Sequence, residues 1–185
     1  MANDMKKYLI TAVTLGLIAA GGALLIAGTN LITRDQIEIN RQNKINEGLA
    51  GIFDVDVKAL NTKTATLPDG VEFKYVLNSY YEVKDTNDAP LGYAFTTEGS
   101  NSYGKISLII GFDQNYIYKK LSVVENGQSF ATTLNKNYLN PLIKEDKTID
   151  DVDVSCGATY GATLVREMVI KATEAAEYLK GANNG

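Results

Sequence analysis

The hydropathy pattern changes character twice along the chain. From Tyr8 to Thr33 the sequence YLITAVTLGLIAAGGALLIAGTNLIT carries no charge. At 1.5 Å per residue this is about 40 Å of helix, enough to cross a hydrocarbon core of roughly 30 Å. A transmembrane helix over 8–32 is expected. The alternative is a cleaved signal peptide, but the run is longer than a typical h-region and leads directly into a charged helical pattern. From 33 to 51, Ile37, Arg41, Lys44, Ile45 and Leu49 recur at three- and four-residue spacing. This predicts a membrane-proximal helix with Gly48 or Gly51 near its end.

Beyond residue 52 the period shortens toward two. Val55 and Val57 alternate with Asp54, Asp56 and Lys58, which suggests a short half-buried strand, and Pro68-Asp69-Gly70 reads as a turn. Further strands are expected at 71–76, 80–83 and 91–97, with a turn at 85–90 and a loop at 99–104. The segments 105–112 and 116–124 form a predicted antiparallel pair around a turn at Asp113-Gln114-Asn115. Leu134, Tyr138 and Leu142 keep a four-residue period, with Pro141 expected to end regular helix before it. Residues 144–153 are charged and expected to be exposed. From Thr163 to Lys180, Leu164, Met168, Ala172, Ala176 and Leu179 define one helical face, and Gly181 is a suitable stop. The fold class is therefore α+β: a single N-terminal transmembrane helix, then a domain over 52–181 with an antiparallel sheet and a C-terminal helix, and a tail at 182–185.

Composition narrows the chemistry. A length of 185 residues with 45% hydrophobic content allows one ordinary domain plus an anchor, while a net charge of -4 argues against a nucleic-acid partner. The only cysteine is Cys156 and histidine is absent, so neither an intrachain disulfide, nor an acyl anchor in the apolar run, nor a soft-ligand metal site is expected. Redox chemistry would have to come from an organic cofactor or a partner. Lys6 and Lys7 precede the apolar run, whereas Arg34 and Asp35 cancel after it. The positive-inside rule then puts residues 1–7 in the cytoplasm and the main domain outside it, in the cell membrane as a single-pass protein. No ionisable group lies within the span to serve as an ion path. Gly16, Gly21, Gly22 and Gly28 offer small surfaces for packing against other membrane helices.

The candidate chemistry sits at Asp153-Val154-Ser155-Cys156-Gly157-Ala158-Thr159-Tyr160-Gly161. By spacing alone this is a loop that starts the last helix, with Ser155 or Thr159 as its cap, and a helix N-terminus favours a phosphate. The residues D-V-S-C-G-A-T also resemble the D-x-x-S/T-G-A-T flavinylation motif of the FMN-binding domain family. That family includes the G subunit of Rnf-type ferredoxin:NAD oxidoreductases and the related C subunit of the sodium-pumping NADH:quinone reductase. The resemblance implies FMN covalently attached through a phosphoester bond to Thr159. Asp153, Gly157, Ala158 and Thr159 stand where the family has them, Cys156 occupies the usual Ser/Thr position, and Gly161-Ala162 replaces a Thr-Ser pair. Asn30, Thr33, Arg34 and Ile37 are similar to the start of the Rnf G subunit. Tyr103-Gly104 before a strand and Glu125 after the next one match the family's middle part. Asn126-Gly127-Gln128-Ser129-Phe130 then stands where the family commonly has Thr-Pro-Gly-Leu-Gly.

The cofactor-binding set implied is Ser155, Cys156, Gly157, Ala158, Thr159, Tyr160, Gly161, Tyr103 and Glu125, with no catalytic residue and no metal ligand. Tyr103 and Tyr160 could stack on a flavin or simply edge the core, and Phe130 is expected in the core. The function implied is that of an electron-transfer subunit in a membrane-bound, ion-translocating ferredoxin:NAD oxidoreductase, not catalytically complete alone. Its partners would be the other membrane subunits and a flavin transferase for maturation. Two alternatives remain: a flavin-less assembly or structural subunit, and a membrane-tethered extracellular flavin reductase.

Overall fold

The first element is a continuous helix, α1 (Ala2–Phe53), in a computed structural model that describes residues 2–144 and 147–183. Met1 of the expected cytoplasmic segment, Glu145 and Asp146 of the charged approach, and residues 184–185 of the tail lie outside the described residues, as does the side chain of Asn30. Two compact units divide the chain, Met1–Asn43 and Lys44–Gly185.

In the first unit α1 is long and apolar enough to cross a membrane. The leucines and isoleucines whose side chains are described there are exposed, Leu17 at 70% and Leu25 at 74%, as lipid-facing residues would be. The threonine hydroxyls in this segment are not left bare. Thr11, Thr14, Thr29 and Thr33 each donate to the carbonyl four residues back at 2.8–2.9 Å, which removes the cost of carrying an unpaired hydroxyl into hydrocarbon.

The second unit is an α+β domain. Its sheet is an antiparallel meander in the order β1 (Asn61–Thr66), β2 (Val76–Lys84), β3 (Pro90–Asn101), β4 (Gly104–Phe112) and β5 (Tyr118–Asn126). One sheet face, with Phe95, Ile106, Leu108, Ile110, Phe112 and Leu121, shares a core with Leu164, Val165, Met168, Ala172 and Leu179 of the last helix, α4 (Thr159–Asn183). The other face, with Val83, Ala94, Ile109 and Val124, packs on Ile45, Leu49, Ile52 and Phe53 from the end of α1. Covered on both faces, β4 is buried at every position from Ile106 to Phe112, and so reads as an apolar run instead of an alternation. At Gly111 the approach is so close that a Cβ would stand 2.2 Å from Ile52 Cγ2.

Several elements differ from expectation. The helix over 33–51 is the continuation of α1 and stops neither at Gly48 nor at Gly51. It ends at Phe53, with Asp54 in the left-handed region (φ 57°) and Val55 N–H donating to the Ala50 carbonyl at 3.1 Å. Lys119 and Lys120 pair with the Asp54 carboxylate at 3.6 and 3.8 Å, placing positive charge by the helix C-terminus. Val55 and Val57 form no strand. Val57–Ala59 is a 3-10 turn, capped by the Asp56 side chain accepting from Lys58 N–H at 2.8 Å. The first strand is the polar NTKTAT segment of β1, specified by pairing with β2 and not by any apolar alternation. Residues 71–75 are likewise not a strand, because Tyr75 adopts φ 70° and Val76 N–H turns back to the Phe73 carbonyl; pairing starts only at Val76.

The pair at 105–112 and 116–124 is present, with β5 starting two residues late. The Asp113 side chain accepts from the N–H groups of both Asn115 and Ile117 and prolongs the turn. The expected loop at 99–104 shrinks to a tight turn, with Asn101 paired to Gly104. Pro141 does not end the helical segment: α2 (Ala131–Leu134) passes through a π-turn at Asn135–Leu139 into α3 (Asn140–Lys144). The wider winding, with Asn140 N–H reaching the Asn135 carbonyl, accommodates a proline that has no N–H to donate and would clash in a regular helix. Leu134, Tyr138 and Leu142 are all buried, as their period suggested. At the other end, α4 begins four residues before Thr163 and continues past Gly181.

Candidate functional site

Thr159 is the first residue of α4, and the Ala158 carbonyl accepts the opening helical bond from Ala162 N–H at 3.0 Å. Neither Ser155 nor Thr159 is the cap. The boundary residue is Ala158, whose methyl group is buried and accepts nothing, so the N–H groups of Thr159, Tyr160 and Gly161 lack an intrahelical acceptor. The preceding residues set this start. Ser155 N–H donates to Asp153 Oδ1 at 2.8 Å, Cys156 N–H donates to the Val154 carbonyl at 2.8 Å, and Gly157 takes φ 84°. That left-handed conformation is what glycine supplies at low cost, and it turns the chain from the loop into the helix.

Around this start lies a cleft of about 250 Å³. It is lined by the Gly157–Gly161 stretch together with Tyr103, Gln128, Phe130 and Leu134. The Tyr103 ring stacks on Tyr160 with centroids 5.2 Å apart and meets Phe130 at 5.8 Å. Two tethers hold the tip of the β3–β4 hairpin, one to the start of α4 and one to the segment that leads into α2. Asn101 Nδ2 donates to the Tyr160 carbonyl at 3.1 Å, and the Tyr103 carbonyl accepts from Ser129 N–H at 2.7 Å and Ser129 Oγ at 3.0 Å. Gln128 is buried, and its Nε2 donates to the Gly104 carbonyl. At Gly161 a Cβ would come within 2.9 Å of Leu134 Cδ2, so the absence of a side chain there lets the helix start close to the core.

Of the expected set, Gly157, Ala158, Thr159, Tyr160, Gly161 and Tyr103 converge on this cleft. Ser155 is exposed outside its lining. Cys156 is half-buried and packs against the core, and its carbonyl accepts from Asn137 Nδ2 at 2.8 Å. Glu125 is elsewhere: it lies on β5 opposite Ser107 of β4, is exposed, and lines a separate groove with Lys44 and Glu47. Phe130 is not a core residue. It is 53% exposed, because the Ser129 tether holds it at the mouth of the cleft while Leu134 enters the core one turn later. Leu134 carried no sequence signal for the site, and Gln128 entered only as part of the Asn126–Phe130 segment that stands where the family has Thr-Pro-Gly-Leu-Gly; the hairpin contact brings it to the cleft.

Electrostatically the cleft is quiet. Apart from the tyrosine phenols its lining contains no titratable group. Beneath the loop, Tyr138 is fully buried and its phenol is pushed up to about 12 by burial; burial also pushes Tyr118 up. Both hydroxyl oxygens are without a hydrogen-bond partner among the described residues. Arg166 holds the outer part of the loop by donating to Asp150 Oδ1 at 2.6 Å. Among the described residues no group of three or more acidic, cysteine or histidine side chains could hold a metal ion.

Residues 1–51 match the family model described as the RnfG N-terminal region. The chain resembles the RnfG subunit. The RnfG-like stretch carries the apolar helix and reaches into the part of α1 that packs on the sheet, and it supports a place as a membrane subunit of an Rnf-type complex alongside other subunits. No curated protein matches the chain.

Proposed function

We propose that the chain is an electron-transfer subunit of an Rnf-type ferredoxin:NAD oxidoreductase and carries FMN esterified to Thr159, with its domain on the extracytoplasmic side of the membrane. The observation that carries this reading is the convergence of an exposed Thr159, three N–H groups without an intrahelical acceptor and an aromatic-walled cleft at one helix start. A phosphodiester retains one negative charge, and the N–H groups and dipole of a helix N-terminus favour it there. Small residues at 157, 158 and 161 let the backbone come close to such a group, while Tyr160 and Phe130 offer apolar faces to a flat ring. Once bound, the flavin supplies the redox chemistry.

The cleft, at about 250 Å³, falls below the range of roughly 300–1,000 Å³ usual for enclosing a whole ligand. A flavin anchored at Thr159 would thus keep part of its ring outside, accessible to partner subunits. The lining offers no carboxylate or imidazole to remove the Thr159 proton, which fits attachment by a separate flavin transferase. In that step the Thr159 Oγ–P bond forms and a phosphoanhydride bond of an activated flavin nucleotide breaks. A nucleoside monophosphate leaves, and the hydroxyl proton passes to a base on the transferase. The coupling ion would cross through other subunits, since the Tyr8–Thr33 run carries no Asp, Glu, Lys or Arg.

Coexpression with a flavin transferase should give a yellow band that survives denaturation and a mass increase of one FMN less water. Thr159→Ala should abolish the adduct, while Ser155→Ala and Cys156→Ala should retain it. An adduct that persists in Thr159→Ala would refute the attachment site. Wild-type protein that stays unmodified beside an active transferase would favour the flavin-less assembly role, to which the changed Asn126–Phe130 segment also points.

A further inference from the structure

The π-turn brings a side chain to the acceptor loop that the flavinylation motif does not include. Asn137 lies within Asn135–Leu139, is exposed, and donates through Nδ2 to the Cys156 carbonyl at 2.8 Å. That carbonyl belongs to the peptide entering Gly157, the left-handed residue from which the helix start and its N–H groups take their direction. The π-turn is itself anchored. Asn126 Nδ2 donates to Asn135 Oδ1 at 2.9 Å, and Tyr138 and Leu139, which follow Asn137 in the turn, are buried at 0% and 1% exposure. A chain of contacts therefore runs from the end of β5 through a rigid turn to the peptide two residues before Ala158.

We propose that Asn137 is a positioning residue for the Thr159 acceptor: by holding the Cys156 carbonyl it fixes the 156–157 peptide and so presents the N–H groups and hydroxyl of the helix start in one orientation. Glycine at 157 makes this hold necessary. Without a Cβ the residue reaches several backbone regions readily, and a released 156–157 peptide can rotate. The other contacts of the loop hold different groups: the Arg166–Asp150 pair and the Asp153 turn act upstream of Cys156, and the Cys156 N–H bond to the Val154 carbonyl holds the preceding peptide. Since Asn137 is exposed, its replacement leaves no core cavity, and the fold survives the test.

This inference rests on the proposed attachment at Thr159 for one of its three readouts only. In the full-length protein in detergent, Asn137→Ala and Asn137→Asp should leave the unfolding midpoint near wild type. They should raise amide exchange at 157–161 without affecting the middle of α4, and slow flavin incorporation by the transferase about tenfold, the rate equivalent of one hydrogen bond. Asn137→Asp should be at least as slow as Asn137→Ala, since it sets a carboxylate oxygen against the carbonyl. Unchanged exchange at 157–161, or wild-type incorporation in both variants, overturns the proposal. Exchange loosened along the whole of α4 also overturns it, because Asn137 would then be a general stabiliser. If exchange rises locally while wild-type protein takes no flavin, the loop-holding role stands and the attachment reading alone fails.

Discussion

Replacing Gly111 by alanine tests how tightly the end of α1 is seated on the sheet. The added Cβ would lie 2.2 Å from Ile52 Cγ2, whereas carbon atoms in contact prefer about 3.5–4.0 Å, so one side must yield by more than an ångström. Ile52 is 1% exposed and, being β-branched in a helix, has one strongly preferred rotamer. Leaving it costs about 0.5–1.5 kcal/mol, and over-packing in a filled core usually costs about 1–3 kcal/mol in all. Alanine recovers up to about 1 kcal/mol of strand propensity, which leaves a net loss of about 1–2 kcal/mol. Ile52→Ala alone should cost about 2–5 kcal/mol through its cavity. In the double variant the methyl group added at position 111 enters that cavity and the clash disappears, so the two losses should fall short of additive by at least about 1 kcal/mol. Urea unfolding of the full-length protein in detergent, followed by tyrosine near-ultraviolet circular dichroism, reads all four corners of the cycle; the sequence has 11 tyrosines and no tryptophan. A fully additive cycle, or Gly111→Ala at wild-type stability, would mean that Ile52 does not bear on Gly111 and that the seating described is wrong.

Two further outcomes are expected. Because burial holds the Tyr138 phenol up to about 12 in the folded state against about 10 when unfolded, its contribution is complete below pH 10 and is lost as pH rises toward 12; Tyr138→Phe should flatten that alkaline decline in unfolding midpoint, and an unchanged slope would contradict the burial argument. Protease added to intact cells should digest the domain after residue 33, as the Lys6-Lys7 bias requires, whereas digestion only after permeabilisation would reverse the orientation.

Elements whose partners are local or generic were legible in the sequence. An uncharged run that cannot stay in water announces the long helix, the apolar segment 106–112 announces the central strand, and the period of Leu164, Met168, Ala172, Ala176 and Leu179 announces the last helix. The loop that starts α4 was locatable for a different reason, since its small residues and hydroxyls, Gly157-Ala158-Thr159, stand together within three positions just before the periodic helix. Tertiary structure decided the rest. β1 is polar apart from Ala65 and exists because β2 offers it a ladder of backbone groups. Residues 71–75 alternate like a strand, yet Tyr75 turns out of the sheet, so pairing begins only at Val76. Pro141 would stop an isolated helix, but burial of Tyr138, Leu139 and Leu142 holds the segment together through a π-turn. The walls of the cleft depend most on the fold. Tyr103, Gln128 and Phe130 stand about 30 to 55 residues before Thr159 and meet it only because the β3–β4 hairpin and the Gln128–Ser129 segment are tied to one another beside the start of α4. Side-chain periodicity records which face an element buries; it holds no record of which distant loop that burial brings alongside.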